Sequence, residues 1–421
     1  MKKIIALLMA VMMVVGLFAG CADTGSNNNN GTTTAPAGNN EVTEVTLKVW
    51  APQEDQADDS SWLKVMLKKF EEAHPEYKIT WELGVCGEGD AKTNVATDPS
   101  AAADVYMYAN DQLGALVEAG ALTELGGDYL AQVQNDVSAT YVNTVTHTDG
   151  GVYGFPVAPN TWFLYYNKET YTEEDVKSLN TMLEKGKVAF PLTTGWYTGS
   201  FFMANGGTLF GDQGVDGSAG VQFGEANGGY EAALTMVELF ANPNFINDAD
   251  VGQGGLKEGT IDAFFSGSWV YADLYAALGD NLGAAQLPTV EIGGQQKQMK
   301  SFAGSKAIGV NPHASNPKVA MELAAFLASS ESQLLRFQLR GITPAVTALA
   351  EDEAVKSSIV AMAENNTMAN TSVAQPSIPE MDGYWSPVQT FGENIVSGAI
   401  TKDNYKEQVD LMMGSLNGDG L

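Results

Sequence analysis

Cysteine, histidine and basic side chains are all scarce in this 421-residue chain, and each scarcity excludes something. The two cysteines are Cys21 and Cys86. Cys21 belongs to an N-terminal processing signal described below, which leaves Cys86 without an intramolecular partner and the chain without a disulfide. Cys86 lies in Val85-Cys86-Gly87-Glu88-Gly89, read as a loop with no nearby histidine or base to activate a thiol. His74, His147 and His313 stand far apart, without HExxH or paired-ligand spacing, so no metal is expected. Against 51 Asp and Glu there are only 22 Lys and Arg, a formal charge of −29. That balance excludes nucleic acid and an anionic membrane face as partners.

Catalytic signatures are missing too. There is no Walker loop and no Gly-x-Ser-x-Gly elbow, and no cofactor is expected. Gly252-Gln253-Gly254-Gly255 lacks the flanking strand and helix of a dinucleotide site and reads as a plain loop. Asp248 and Asp250 lack the remaining oxygen ligands of a calcium loop. Carboxylates are abundant, but no local motif marks the acid and nucleophile of a glycosidase.

The N-terminus sets the compartment. Lys2 and Lys3 precede an apolar run over residues 4–18, followed by small residues Ala19 and Gly20. This order is an export signal, residues 1–20, too short and wrongly flanked for a spanning helix. Leu17-Phe18-Ala19-Gly20-Cys21 resembles a bacterial lipobox, which implies lipidation of Cys21 and attachment to the outer face of the cell membrane. Residues 21–40, with four consecutive asparagines and three consecutive threonines, cannot bury an apolar face and read as a disordered tether. No later stretch is long and apolar enough to cross a bilayer.

The globular part begins near residue 41 and exceeds the size at which one core keeps growing, so two domains are expected. Residues 45–50 (VTLKVW) alternate as a strand, Trp62, Met66 and Phe70 recur at helical spacing, and residues 77–83 (YKITWEL) form a second strand. Strand, helix and strand in this order make a βαβ unit with a parallel sheet. Residues 103–108 are a third strand, and the helix after it over 112–119 stops at Gly120. Strands over 152–157 and 162–166 flank Ala158-Pro159-Asn160, a change of register and a crossing between domains. Helices are expected over 230–240, 317–328 and 405–413.

Several aromatic residues fall in apparent loops: Trp196-Tyr197, Trp269 with Tyr271, and Tyr384-Trp385. Sugars present flat C–H faces and hydroxyl edges, so aromatic platforms beside carboxylates and amides suit them. Such ring contacts contribute roughly 0.5–1.5 kcal/mol beyond area burial.

At these residues the chain resembles the solute-binding proteins of ABC importers, specifically the maltose/maltodextrin-binding family. The resemblance runs from about Val45 to the C-terminus. Residues 103–111 with Leu113-Gly114 are similar to that family's first sugar-binding segment, and Gly154-Phe155-Pro156-Val157 with Tyr165-Tyr166-Asn167-Lys168 to its crossover strands. Gly267-Ser268-Trp269, Leu287-Pro288-Thr289 and Ile378-Pro379-Glu380-Met381 with Tyr384-Trp385 follow in the family's order. The resemblance implies an α/β fold of two lobes joined by hinge strands, with the ligand between them. The first lobe would comprise 41–158 and 300–350, the second 159–299 and 351–421.

It also implies a non-enzymatic protein that takes an oligosaccharide, maltose or maltodextrin, to an ABC permease; a monomer is expected because the sequence carries no visible interface signal. Trp269 and Trp385 match the stacking tryptophans, Trp196 and Tyr197 an aromatic pair, Tyr108 a further stacking aromatic, and Asp111 a hydroxyl-binding carboxylate. Five positions depart from the family. Gln112 replaces an arginine, Asn160 and Thr194 replace carboxylates, and Glu54-Asp55 replaces an Asp-Lys pair. Trp162 is an extra aromatic at the crossover, read either as a ligand contact or as core. Binding of another glycan or solute, a polysaccharide adhesin and an exported glycosidase are the alternative readings.

Overall fold

The computed structural model describes residues 42–211, 214–248 and 251–418. The export signal, Cys21, the tether and Asp250 lie outside the described residues. Eleven strands among the described residues build two principal sheets. Along the chain they are β1 (Thr43–Ala51), β2 (Tyr77–Val85), β3 (Val105–Ala109), β4 (Phe155–Asn160), β5 (Phe163–Asn167) and β6 (Val188–Phe190). There follow β7 (Phe245–Asn247), β8 (Ala263–Ser266), β9 (Leu282–Ala285), β10 (Ser301–Val310) and β11 (Ser372–Ala374). The first sheet has the order β11-β10-β3-β1-β2, with β4 also paired to β10. The second runs β9-β5-β8-β6-β7.

The expected βαβ unit is present. β1 and β2 pair in parallel from Thr43 opposite Tyr77 to Ala51 opposite Val85. The helix between them, Trp62–Ala73, buries Trp62, Leu63, Met66, Leu67 and Phe70, the residues its four-residue spacing puts on one face. Gly120, at φ +66°, ends the helix Leu113–Glu118 after β3 as expected.

Two expectations fail locally. Ala158-Pro159-Asn160 is not a break, because β4 continues through it. That strand pairs only with β10, so its prolines withhold no needed ladder donor. Gly252-Gln253-Gly254-Gly255 is not a loop but the start of the helix Gly252–Glu258. Asp248 Oδ1 accepts from the Gly252 N–H at 2.7 Å, and Gly259, at φ +72°, stops the helix. Glycine is needed at 255, where a Cβ would stand 2.4 Å from Ile261.

Burial separates two lobes. One core gathers buried residues from Val45 to Val157 and from Ala307 to Ala345. Another gathers Trp162 to Phe302 and Ile378 to Met412, and a smaller one covers the other face of the second sheet. The chain therefore passes between cores after β4, within β10, and after Ala345. Cys86 lies in the loop that follows β2, as expected, and is buried there. Asn94 Nδ2 donates to its Sγ at 3.3 Å, and burial pushes the thiol up.

Charges are also buried in the first lobe. Arg336, in the helix Ser330–Arg340, donates to Asp55 at 2.6 Å and to Glu88 at 3.0 Å, and Arg340 meets Asp55 at 3.1 Å. The Arg336 guanidinium also lies 5.1 Å over the Trp62 ring. This row ties the segment after β1 to the segment after β2 through a helix remote from both in sequence. Removing one member strands the others without water. Arg336→Met is expected to lower unfolding free energy by roughly 3–5 kcal/mol, since Asp55 and Glu88 lose their shared cation. Urea melts of both proteins check this, and a loss below about 1 kcal/mol would show that the row carries little stability.

Candidate ligand-binding cleft

Where strands end, side chains leave the cores, and in open α/β sheets the crevice beyond the carboxyl ends of strands receives ligands. Here those ends face one cleft of about 1010 Å³. On the first lobe it is lined by Pro52 and Glu54 after β1, residues 87–89 after β2, Asp111 and Gln112 after β3, and Asn160 at the end of β4. On the second lobe come Thr194, Gly195 and Trp196 after β6, Gln253 after β7, and Trp269 after β8. Asp382 and Trp385, from the first turn of the helix Asp382–Val396, complete that wall.

The aromatic residues read as loop residues sit instead at helix starts. Trp196 is in the first turn of Gly195–Ala204, Trp269 in the turn Ser268–Val270 that opens Tyr271–Leu278, and Trp385 in the first turn of its own helix. A helix start leaves backbone N–H groups free and sets its side chains at the cleft edge. Two glycines make the convergence possible. A Cβ on Gly195 would come within 2.9 Å of the Trp385 carbonyl, and one on Gly267 within 1.9 Å of the Trp269 ring. Trp196 and Trp269 consequently stand with ring centroids 6.0 Å apart and planes 30° from parallel. Trp196 Nε1 donates to Gln375 Oε1 at 3.2 Å.

Eight of the expected residues line the cleft: Glu54, Asp111, Gln112, Asn160, Thr194, Trp196, Trp269 and Trp385. Three do not. Tyr108 is fully buried in β3, its hydroxyl donating to the Tyr153 carbonyl at 3.3 Å, because that strand is covered on both faces. Asp55 is fully buried beside exposed Glu54, held by Arg336 and Arg340. Tyr197 is one position beyond Trp196, about 100° round its helix. It packs inward on Trp162 at 4.8 Å. Trp162 itself is core, with no exposure.

Gln112 does not replace an arginine's reach. Its Oε1 accepts from the Lys92 N–H at 2.6 Å and its Nε2 donates to the Gly89 carbonyl, so it clamps the turn that forms the wall. Residues not singled out from sequence include Glu88, Lys92, Lys306, Gln375 and Asp382. Lys92 and Asp382 bridge the two walls at 2.6 Å. Lys306 had a readable signal: it is the one charged residue in the otherwise apolar or small strand SFAGSKAIGV.

Electrostatics differ along the cleft. Burial raises the Glu88 carboxyl, but Lys306 and Arg336 outweigh it and hold it at about 2. Asp111 is pushed up to about 6, chiefly by burial and further by Asp382, against its own backbone N–H and Lys92. Behind the Trp269 turn, burial raises Glu364 to about 7, opposed by the hydroxyls of Thr343 and Ser268 and by Lys306. Ser268 Oγ donates to Glu364 Oε1 at 3.2 Å.

Residues 65–364 match the family of bacterial extracellular solute-binding proteins. The chain belongs to that family. A galactooligosaccharide-binding protein of Bacillus subtilis is 30% identical over 316 residues, 70% of this chain and 72% of that protein. A maltooligosaccharide ABC transporter solute-binding lipoprotein of Streptococcus pneumoniae is 25% identical over 385 residues, 86% of each chain. A solved structure with acarbose is 46% identical, with a TM-score of 0.85 over 89% of this solute-binding protein and 99% of that chain.

Glu364 gives this binding protein a pH-dependent stability. An ordinary carboxyl titrates near 4.5 and this one near 7, so the folded state holds a proton that the unfolded state releases. The resulting stabilisation is complete below pH 4.5 and is lost as pH rises through 7. Glu364→Gln is expected to lessen the fall in unfolding free energy between about pH 5 and pH 8 by roughly 3 kcal/mol. Urea melts at both pH values measure it, and parallel pH dependence in the two proteins would refute it.

Proposed function

We propose that this protein captures a neutral oligosaccharide, an α-glucan, outside the cell and presents it to an ABC permease. The observation that carries the reading is the wall of partly exposed Trp196, Trp269 and Trp385 opposite the polar edge of Asp111, Gln112 and Asn160. Aromatic faces take sugar C–H surfaces, and the opposite edge offers partners to hydroxyls. A ligand touching both walls binds the closed form better than the open one, which is the condition for closure on loading. The moving bodies are residues 41–158 with 300–350 and residues 159–299 with 351–421. The pneumococcal relative's name, with its maltooligosaccharide, importer and lipoprotein, supports the ligand class, the permease and an anchor at Cys21. Membership of a solute-binding family supports binding without catalysis, and the protein acts as a monomer held at the outer face of the membrane.

A second reading has one specific support. The Bacillus subtilis relative is named for galactooligosaccharide, so galactooligosaccharides compete as the ligand class. Maltotriose and a galactotriose titrated into the purified protein, followed by tryptophan fluorescence, separate the two. A saturable change with maltotriose and none with galactotriose is expected; the reverse would transfer the assignment, and silence with both would remove the saccharide reading.

Two further outcomes follow from the walls. Trp269→Ala and Trp385→Ala should each weaken binding at least tenfold, about 1.4 kcal/mol, by calorimetry. As a carboxylate near pH 6 that accepts from hydroxyls, Asp111 should make affinity fall between about pH 7.5 and pH 5. Asp111→Asn should bind more weakly and lose most of that dependence; an unchanged profile would take Asp111 out of the site.

A further inference from the structure

Lys306 is a charged residue where a sheet has no ordinary place for one. It lies on β10, opposite Ala109 of β3 on one side and Ala158 of β4 on the other. Only 9% of it is exposed, yet it lines the cleft. Between Lys306 and Ala307 the pairing with β4 slips by one residue, the kind of irregularity that re-aims a side chain beside a site. The ammonium reaches across to the other lobe and stands 4.6 Å over the Trp269 ring.

Its hydrogen-bonding capacity is unused. An ammonium carries three donors and no acceptor. Among the described residues Lys306 Nζ makes no hydrogen bond: its ion-pair partner, Glu88 Oε2, is 3.6 Å away, and Glu88 Oε1 is taken by Arg336 at 3.0 Å. With its stem buried and its three donors open toward the cleft, this cation calls for oxygen acceptors, and the space beside Trp269 is where they can come from.

We propose that Lys306 is a ligand-binding residue of this cleft, donating hydrogen bonds from its ammonium to the hydroxyl or ring oxygens of the sugar unit that lies against Trp269. This rests on the oligosaccharide reading above. Lys306 thereby joins the two halves of the site, since a donor rooted in the first lobe acts on the sugar unit that the second lobe's tryptophan stacks. The ammonium makes that position favour oxygen-rich neutral units and reject cationic ones.

Calorimetric titration of maltotriose and galactotriose into wild type, Lys306→Met and the Lys306→Met/Glu88→Gln double variant tests it. The double variant removes both charges, so it leaves no stranded carboxylate and keeps the comparison meaningful where the single variant folds poorly. At least tenfold weaker binding of the sugar that wild type takes is expected in both variants. Wild-type affinity in Lys306→Met, or recovery to within threefold in the double variant, would overturn the proposal, the latter by showing that Lys306 serves only as the counter-ion of Glu88. Silence of wild type with both sugars would instead fell the oligosaccharide reading, and this role with it.

Discussion

Strand β10 is the element on which both lobes and the cleft depend. It starts beside the second core, where Phe302 is buried, and ends in the first, where Ala307, Ile308 and Val310 are buried. Along the way it pairs with β11, β4 and β3, and it is nearly inaccessible throughout. A strand so enclosed must satisfy its backbone through ladders and its side chains through packing. One slip in that ladder, at Lys306, is where it presents a charge to the cleft. The same strand thus joins the lobes and supplies a group to the space between them.

Rigidity of the first wall comes from charge as much as from apolar packing. Asp55, Glu88, Arg336, Arg340 and Lys306 form a continuous row along the cleft wall, with Asp55 buried behind it. Ions buried in this way contribute little net stability when intact, but they hold their segments in one arrangement. Gln112 adds a neutral clamp on the turn at residues 89–92. The second wall is built differently, from tryptophans fixed by tight helix docking at Gly195 and Gly267. One wall therefore presents fixed polar groups and the other flat apolar faces, a division suited to a molecule with hydroxyl edges and C–H faces.

The positions expected as site residues succeeded or failed according to their neighbours in space. Trp196, Trp269 and Trp385 reached the cleft because strand ends and helix starts project there. Tyr108 and Tyr197 have the same chemistry and similar local sequence, but a covered strand and a helix's inner face turn them into the cores. Asp55, one residue from exposed Glu54, became the partner of Arg336, 281 residues away. A separation of that size leaves no trace in local pattern. Lys306 is the contrary case, since a lone lysine among small and apolar strand residues is an anomaly legible in the sequence alone.

Period and composition, which act over a few residues, by themselves determined the strand–helix–strand start, the helix at Trp62–Ala73 with its buried face and the stop at Gly120. Collinear motifs carried the family and, through it, the two-lobed α/β class. Tertiary structure alone decided which aromatics face the cleft, that Gly252–Glu258 is helical, that β4 runs through Pro159, and how the buried ions are matched. Those outcomes depend on close approach between segments far apart in the chain. The energies involved, a Cβ that will not fit or a charge that must find its counter-ion, exist only once those segments meet.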